Sequence, residues 1–235
     1  MATGSIEWIY LDEVDSTNNY AKAQVTGQNV AVLADRQLAG KGRDGRHFVS
    51  HEGGMYLSVV RRDECPVEEC ARYMLAAPLA VCSVLSSLGV EAHIKWPNDV
   101  WIGRAKIAGV LIENEWQNGL VSRAIIGIGL NVNNDISDVP TVATSLAEQT
   151  AKRYSPRQLA EQIVMALDGY LDLPLDALVR DVSARLYNLG KTVVLSDGRE
   201  GVAVLLAADG RLGVQCGGKI EYVAAGDVSL KEGLC

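Results

Sequence analysis

The sequence predicts an α+β chain: a mixed β-sheet flanked by helices, followed by a small C-terminal β-barrel. Three observations predict it. Short apolar runs of strand length alternate with longer stretches at helical spacing through residue 188. Gln117-Asn118-Gly119 sits between two apolar runs, a strong hairpin signal. From Lys191 onward, strands of four to eight residues alternate with Gly-containing turns, the texture of a small barrel. The boundary is placed so that residues 1–188 form one domain and 189–235 a second.

The elements follow in order. Asp15-Ser16-Thr17-Asn18-Asn19 offers N-cap candidates for a helix through Tyr20-Ala21-Lys22-Ala23-Gln24-Val25, with Gly27 to close it. Val30 to Asp35 is an apolar run typical of a buried strand, and Met55 to Val60 is another. Between them lies a polar, Gly-rich loop from Gln37 to Gly53. Val67 to Leu88 reads as a helical region that Pro78 kinks or divides and Gly89 ends. Glu91 to Trp96 and Val100 to Ile102 read as strands around a Pro97-Asn98-Asp99 turn. Lys106 to Trp116 and Leu120 to Val132 are the arms of the hairpin. Ser155 caps and Pro156 opens a helix whose buried face is Leu159, Ile163, Leu167 and Tyr170. Leu175 to Leu189 is a further helix closed by Gly190. The barrel turns are Ser196-Asp197-Gly198, Ala208-Asp209-Gly210, Gly217-Gly218 and Ala225-Gly226-Asp227.

Composition narrows the function classes. The 235 residues carry 22 Lys+Arg against 29 Asp+Glu, a net charge of −7. A nucleic-acid polymer needs a cationic footprint over many phosphates, so DNA is not an expected partner. No run of 18 apolar residues occurs, so no membrane span is expected. Met1 to Glu7 has no basic segment followed by an apolar one, so no signal peptide is expected and the setting reads as cytoplasmic. Five cysteines (Cys65, Cys70, Cys82, Cys216 and Cys235) at irregular spacing read as reduced thiols. His47 and His51 stand four apart in a Gly-rich stretch where helical geometry is not expected, so they do not read as a metal site.

The loop holds the most unusual chemistry. Arg36 to Arg46 carries four cations and one anion, a local +3 in an acidic chain. Glycines let backbone N–H groups approach an anion, and Lys and Arg add charge-assisted bonds, so phosphate or carboxylate recognition is the natural reading. Gly40-x-Gly42-x-x-Gly45 matches the dinucleotide-binding spacing, but that motif needs a helix opening directly after it. Here His47-Phe48-Val49-Ser50-His51-Glu52-Gly53-Gly54 follows, and then a strand. A protein-kinase glycine loop fails as well, because H-R-D and D-F-G are absent. A solvated surface loop is the plain alternative.

Downstream come Lys95-Trp96-Pro97-Asn98-Asp99-Val100, then Lys106-Ile107-Ala108-Gly109-Val110-Leu111-Ile112-Glu113, then Ile126-Gly127-Ile128-Gly129-Leu130-Asn131-Val132-Asn133. With Asp15-Ser16-Thr17-Asn18 upstream and in this order, they resemble the biotin protein ligases over about residues 12–133. The tail from Leu189 to Leu230 resembles that family's SH3-like barrel. Departures are Lys41 where the family often has Arg, Asp44 at an often basic position, and Phe48 where Trp is usual.

The resemblance implies a fold like the biotin/lipoate ligase (class II synthetase-like) catalytic domain and a two-step reaction. Biotin carboxylate attacks the α-phosphorus of ATP, giving biotinyl-5'-AMP and pyrophosphate. A lysine of a biotin carboxyl carrier protein then takes the biotin and releases AMP. Lys106 and Arg43 are implied between carboxylate and α-phosphate, with Arg46 also on the nucleotide. Ser16, Thr17, Asn18 and Gln37 are implied on biotin, with backbone contacts from Gly40, Lys41 and Gly109. Ser16 read on its own is an N-cap. Phe48, Asn98 and Asn131 are implied around adenine. Asp99 matches the position that orients the carrier amine or receives its proton, and read alone it is a turn residue. Mg²⁺ is implied with ATP, its ligands unassigned.

No sequence for an N-terminal DNA-binding domain is visible, so the expectation is the enzyme-only group. A homodimer is compatible with the sequence. A lipoate ligase and a non-catalytic biotin sensor are the competing classes.

Overall fold

The structure is a computed structural model that describes residues 6–26, 29–62, 66, 69–224 and, as backbone, 228–230. Gly27, the start of the 67–88 helical region, the 225–227 turn, Cys65 and Cys235 lie outside the described residues.

A seven-stranded mixed sheet forms the body. Its strands are β1 (Glu7–Val14), β2 (Val30–Gln37), β3 (Met55–Arg61), β4 (His93–Lys95), β5 (Asp99–Ile102), β6 (Ala105–Gln117) and β7 (Leu120–Leu130). They lie in the order β1-β2-β3-β7-β6-β5-β4. Only β1 and β2 run parallel, and the helix α1 (Thr17–Gln24) makes their crossover. All other neighbours are antiparallel. The β6–β7 turn has Asn118 and Gly119 at φ 53° and 80°, the conformation an Asn-Gly hairpin turn requires.

Both faces of the sheet are covered. Along β2, Ala31 and Leu33 face the main core, while Val30 and Val32 join Ala21, Val25, Val60 and Ile125 beneath α1. On the opposite face lie α2 (Ala71–Ser87) and α4 (Pro156–Leu171). In α4, Ser155 accepts a hydrogen bond from Gln158 N and Pro156 occupies the first turn, while Leu159, Ile163 and Leu167 are buried. A short α3 (Leu146–Thr150) opens on a Ser145/Glu148 capping box, and α5 is Leu175–Ser183.

The C-terminal unit is antiparallel: β8 (Thr192–Leu195), β9 (Glu200–Leu206), β10 (Leu212–Cys216), β11 (Lys219–Val223) and β12 (Val228–Leu230), in the order β11-β10-β9-β8-β12. It is a four-strand meander whose fifth strand returns to the first. Its inward residues, among them Val193, Ala203, Leu212 and Val214, belong to the same hydrophobic cluster as α2 and the large sheet.

Four sequence expectations change. β1 was not expected; its exposure alternates poorly because it is an edge strand, open on one side. α2 runs unbroken through Pro78, which costs one N–H donor inside a well-buried helix. Ser16 sits at the N-cap of α1, yet its side chain makes no capping hydrogen bond. The helix expected over 175–189 stops at Ser183, because the following backbone pairs with β4: Ile94 N donates to Arg185 O at 2.9 Å and Tyr187 N to Ile94 O at 2.8 Å.

Candidate active site

The sheet face beneath α1 lacks side chains where the expected motifs supply glycine. Gly109 and Gly129 are cross-strand partners on β6 and β7. The ring of Phe48 lies on this floor. A Cβ at Gly129 would stand 2.6 Å from Phe48 Cε1, and one at Gly109 3.2 Å from Cε2. Tyr56 meets the same ring edge-on, with centroids 6.4 Å apart. Burial pushes the Tyr56 phenol well above its usual range.

Lys106 reaches this face through a β-bulge. Strand residues three apart point to opposite faces, so Lys106 and Gly109 on a regular strand would diverge. The β5–β6 register shifts: Val100 pairs with Ala108, but Trp101 pairs with Lys106, leaving Ile107 as the extra residue. Ile107 turns into the core and Lys106 turns toward the floor. Its Nζ then lies 2.7 Å from Asp99 Oδ1 and 5.6 Å from the centre of the Phe48 ring. Both partners of the ion pair are about a quarter exposed. The backbone of Lys106 is held on its free side too, donating to Val142 O at 3.0 Å and accepting from Thr144 N at 2.9 Å.

At the N-terminus of α1 a polar chain runs inward. Thr17 N and Oγ1 donate to Gln37 Oε1 at 2.9 and 3.1 Å, and Gln37 Nε2 donates to Ser50 Oγ at 2.9 Å. Ser50 Oγ donates to Phe48 O at 2.8 Å. Ser58 Oγ lies 2.6 Å from Asn18 Oδ1 and 2.8 Å from Thr17 Oγ1. Asn18 Nδ2 donates to Glu113 Oε2 at 2.8 Å. These groups satisfy one another, which lets Thr17 and Asn18 stay buried. Asn18 also explains Gly127: a Cβ there would come within 2.4 Å of Asn18 Oδ1.

The basic loop folds back on itself. Lys41 bridges His47, Gly42 N donates to Arg46 O at 2.7 Å, and a single 3-10 turn spans Arg43–Gly45. Arg46 pairs with Asp44 at 3.6 Å on the exposed side. Lys41 Nζ donates to Asn19 Oδ1 at 2.5 Å, and the Asn19 amide holds the Asp15 carboxyl below its usual range. Gly40 packs its Cα against Phe48 O, where a Cβ would approach to 2.4 Å.

These elements enclose one cavity of about 650 Å³. Ser16, Thr17, Asn18, Gln37, Lys41, Arg43, Arg46, Phe48, Asn98, Asp99, Lys106, Gly109 and Asn131 all line it. Of the expected residues only Gly40 does not; it is a packing position behind the wall. Asn98 Nδ2 donates to Val110 O at 2.7 Å, which fixes the Trp96-Pro97-Asn98 turn to β6. Asn131 is buried, donates to Thr144 O at 3.1 Å and accepts from Asn134.

The sequence did not point to Tyr56, Trp101, Asn188 or the segment Val139 to Ala143, which also line the cavity. Lys95, within the quoted motif, lies 3.8 Å above the Trp101 ring. Loop residues such as Val139 to Ala143 carry no periodicity to reveal them. Among the described residues, no group of three or more His, Cys, Asp or Glu could hold a metal ion. No helix among them is long and apolar enough to cross a membrane.

Known proteins resemble this chain in sequence and in fold. It is 32% identical over 169 residues to the bifunctional ligase/repressor BirA of Bacillus spizizenii, which covers 68% of this chain and 52% of that protein. The chain thus spans about half the length of the BirA relatives it matches. It is 32% identical over 243 residues to the biotin–[acetyl-CoA-carboxylase] ligase of Mycobacterium tuberculosis, covering 94% of this chain and 89% of that protein. The solved biotin protein ligase from Aquifex aeolicus in complex with biotin and ATP superposes with a TM-score of 0.83 at 28% identity, over 97% of this chain and 99% of that one. Residues 10–131, the stretch from β1 to the buried Asn131, match the biotin/lipoate A/B protein ligase family, and the chain belongs to that family.

Proposed function

We propose that the chain is an ATP-dependent biotin protein ligase that forms biotinyl-5'-AMP and transfers biotin to a lysine of a biotin carboxyl carrier protein. The observation that carries this reading is the Lys106–Asp99 pair at 2.7 Å, set on the glycine floor of a 650 Å³ cavity beside the basic loop.

In the first step an anion attacks a polyanion, so cations must offset the repulsion and stabilise charge developing at phosphorus. Lys106 and Arg43 supply that charge, with Arg46 on the nucleotide. The Thr17–Gln37 pair offers a hydroxyl and an amide to the ureido ring of biotin, while the rings of Phe48 and Tyr56 give the cavity apolar surface. Lys41, Ser16, Asn18 and Gly109 complete the biotin side. Phe48, Asn98 and Asn131 face adenine. Mg²⁺ would enter bound to ATP, because it commonly keeps its waters and uses substrate phosphates as ligands.

In the second step the carrier amine must lose a proton, and a free lysine has a pKa near 10.4. Asp99 is the group to receive it. The amine forms the amide bond as the bond from the acyl carbon to phosphate breaks and AMP leaves. We place the catalytic unit at residues 1–188 and the C-terminal unit at 189–235, in a cytoplasmic protein acting on neither DNA nor membrane.

The deciding experiment mixes purified protein, biotin and labelled ATP. Biotinyl-AMP is the expected product. Product with lipoate but none with biotin would move the substrate to lipoate, and biotin binding without ATP turnover would make the chain a sensor.

A further inference from the structure

We propose that Asn188 and the β9–β10 turn are positioning groups for Asp99, acting through Trp96; this rests on the ligase reading above. Trp96 follows β4 and stands three residues before Asp99, and it is 5% exposed. Its backbone N–H donates to Asn188 Oδ1 at 2.7 Å, and its indole N–H donates to Gly210 O at 3.0 Å. Both bonds are buried, so neither group has water to replace its partner. Gly210 lies in the turn between β9 and β10, at φ 81°. A Cβ there would stand 3.2 Å from Met74 Cε and 3.3 Å from Ala71 Cβ on α2. The turn is thus wedged between α2 and Trp96.

The catalytic hairpin needs this outside support. β4 has three residues and is the last strand of its sheet, so its own ladder to β5 is short and it draws on bonds from outside the sheet. Asp99 lies directly across from Lys95 on β4 and from Gly109 on β6. On the β6 side, Asn98 fixes the turn by exchanging bonds with Val110. On the other side, the chain leading into the C-terminal unit and the turn at Gly210 bond to it, while Ile94 packs into the main core. Release of Trp96 would free the hairpin to swing about its β6 edge and carry Asp99 away from Lys106. The C-terminal unit then contributes to turnover through this turn.

The test compares full-length Trp96→Phe, Asn188→Leu and Gly210→Ala with wild type, well below each variant's thermal midpoint. The Phe variant removes the indole donor together with part of the buried ring, whereas Gly210→Ala pushes the acceptor while lying outside the cavity and leaves Trp96 intact. Expected is a fall in kcat for biotin transfer to the carrier domain of at least about fivefold, modest beside the roughly hundredfold cost of a 1 Å misplacement. Trp96 and Asn188 also line the cavity, so the KM reading is taken from Gly210→Ala: there KM for biotin and for ATP should change by less than about twofold, whereas a role in shaping the pocket would raise them. In parallel, the indole N–H of Trp96 should exchange slowly with solvent in wild type and faster in Gly210→Ala. Unchanged kcat in all three variants, or a loss carried wholly by KM in Gly210→Ala, would overturn the positioning role. A wild-type protein that makes no biotinyl-AMP would sink the ligase reading, and this inference with it.

Discussion

Lys106 owes its direction to Ile107. The bulge turns one residue into the core and the next toward the cavity, so a single irregularity sets the ion pair with Asp99. Replacing Lys106 with Ala removes the charge and leaves the strand in place. The rate of biotinyl-AMP formation should fall at least about tenfold, equivalent to about 1.4 kcal/mol of transition-state stabilisation; single-turnover assays would read it, and a wild-type rate would remove Lys106 from the mechanism. Gly129 tests the floor. A methyl group there would press on Phe48 from 2.6 Å, so Gly129→Ala must displace the ring. Overpacking of that kind costs about 1–3 kcal/mol, and we expect both a lower thermal midpoint and a KM for ATP raised several-fold. Residue identities at the site were readable because the ordered motifs carry them. That Lys106 and Gly109 share a face was not, since period-two alternation puts residues three apart on opposite sides.

At the scale of elements, α1 is held at both ends. Its first turn delivers Thr17 and Asn18 to the polar chain, and at its last turn the buried Arg123 donates to the carbonyls of Ala21 and Lys22 while pairing with Glu115 at 3.3 Å. Arg123 thereby caps a helix of eight residues that could not stand alone. In Arg123→Leu those carbonyls lose their donor, and the expected cost is about 1–3 kcal/mol, seen as a lower urea midpoint with an unchanged slope. The C-terminal sheet gives an acid response. Backbone and side-chain bonds from Arg199 hold Asp197 below its usual range, and the Arg199 guanidinium does the same for Glu221. Lowered folded values mean stabilisation that is present above the ordinary carboxylate range near pH 4 and lost as pH falls through the lowered values. The groups lie at the surface in contact with solvent, so the effect should be small and weakened by salt. Thermal midpoints on acidification should fall less steeply in Arg199→Ala, and identical slopes would remove the pair from the account. Strong periodicity and good caps made α4 legible, whereas the end of α5 was hidden because a distant strand, β4, recruits its following backbone.

The molecule as a whole joins two sheets through one hydrophobic cluster, so the change of texture after residue 188 marks a new sheet and not a separate core. The sequence displayed that change plainly. It did not display the contact of Gly210 with Trp96, because the two are 114 residues apart and neither side chain advertises a partner. Net charge had a similar limit: −7 described the surface but not the cationic pocket within it. The large sheet also has unequal borders. β4 is covered by the chain at 185–188, but among the described residues β1 pairs only with β2, and it exposes Tyr10 together with Glu7, Asp12 and Glu13. Those carboxylates repel a second copy approaching strand to strand. Near the sequence pI of about 5.0 the molecule's net charge vanishes, long-range repulsion between copies fades, and the open border becomes a place where molecules stack. Light scattering should therefore rise as pH is lowered toward 5, and Tyr10→Lys should delay the onset; an onset indifferent to Tyr10 would locate the aggregating surface elsewhere.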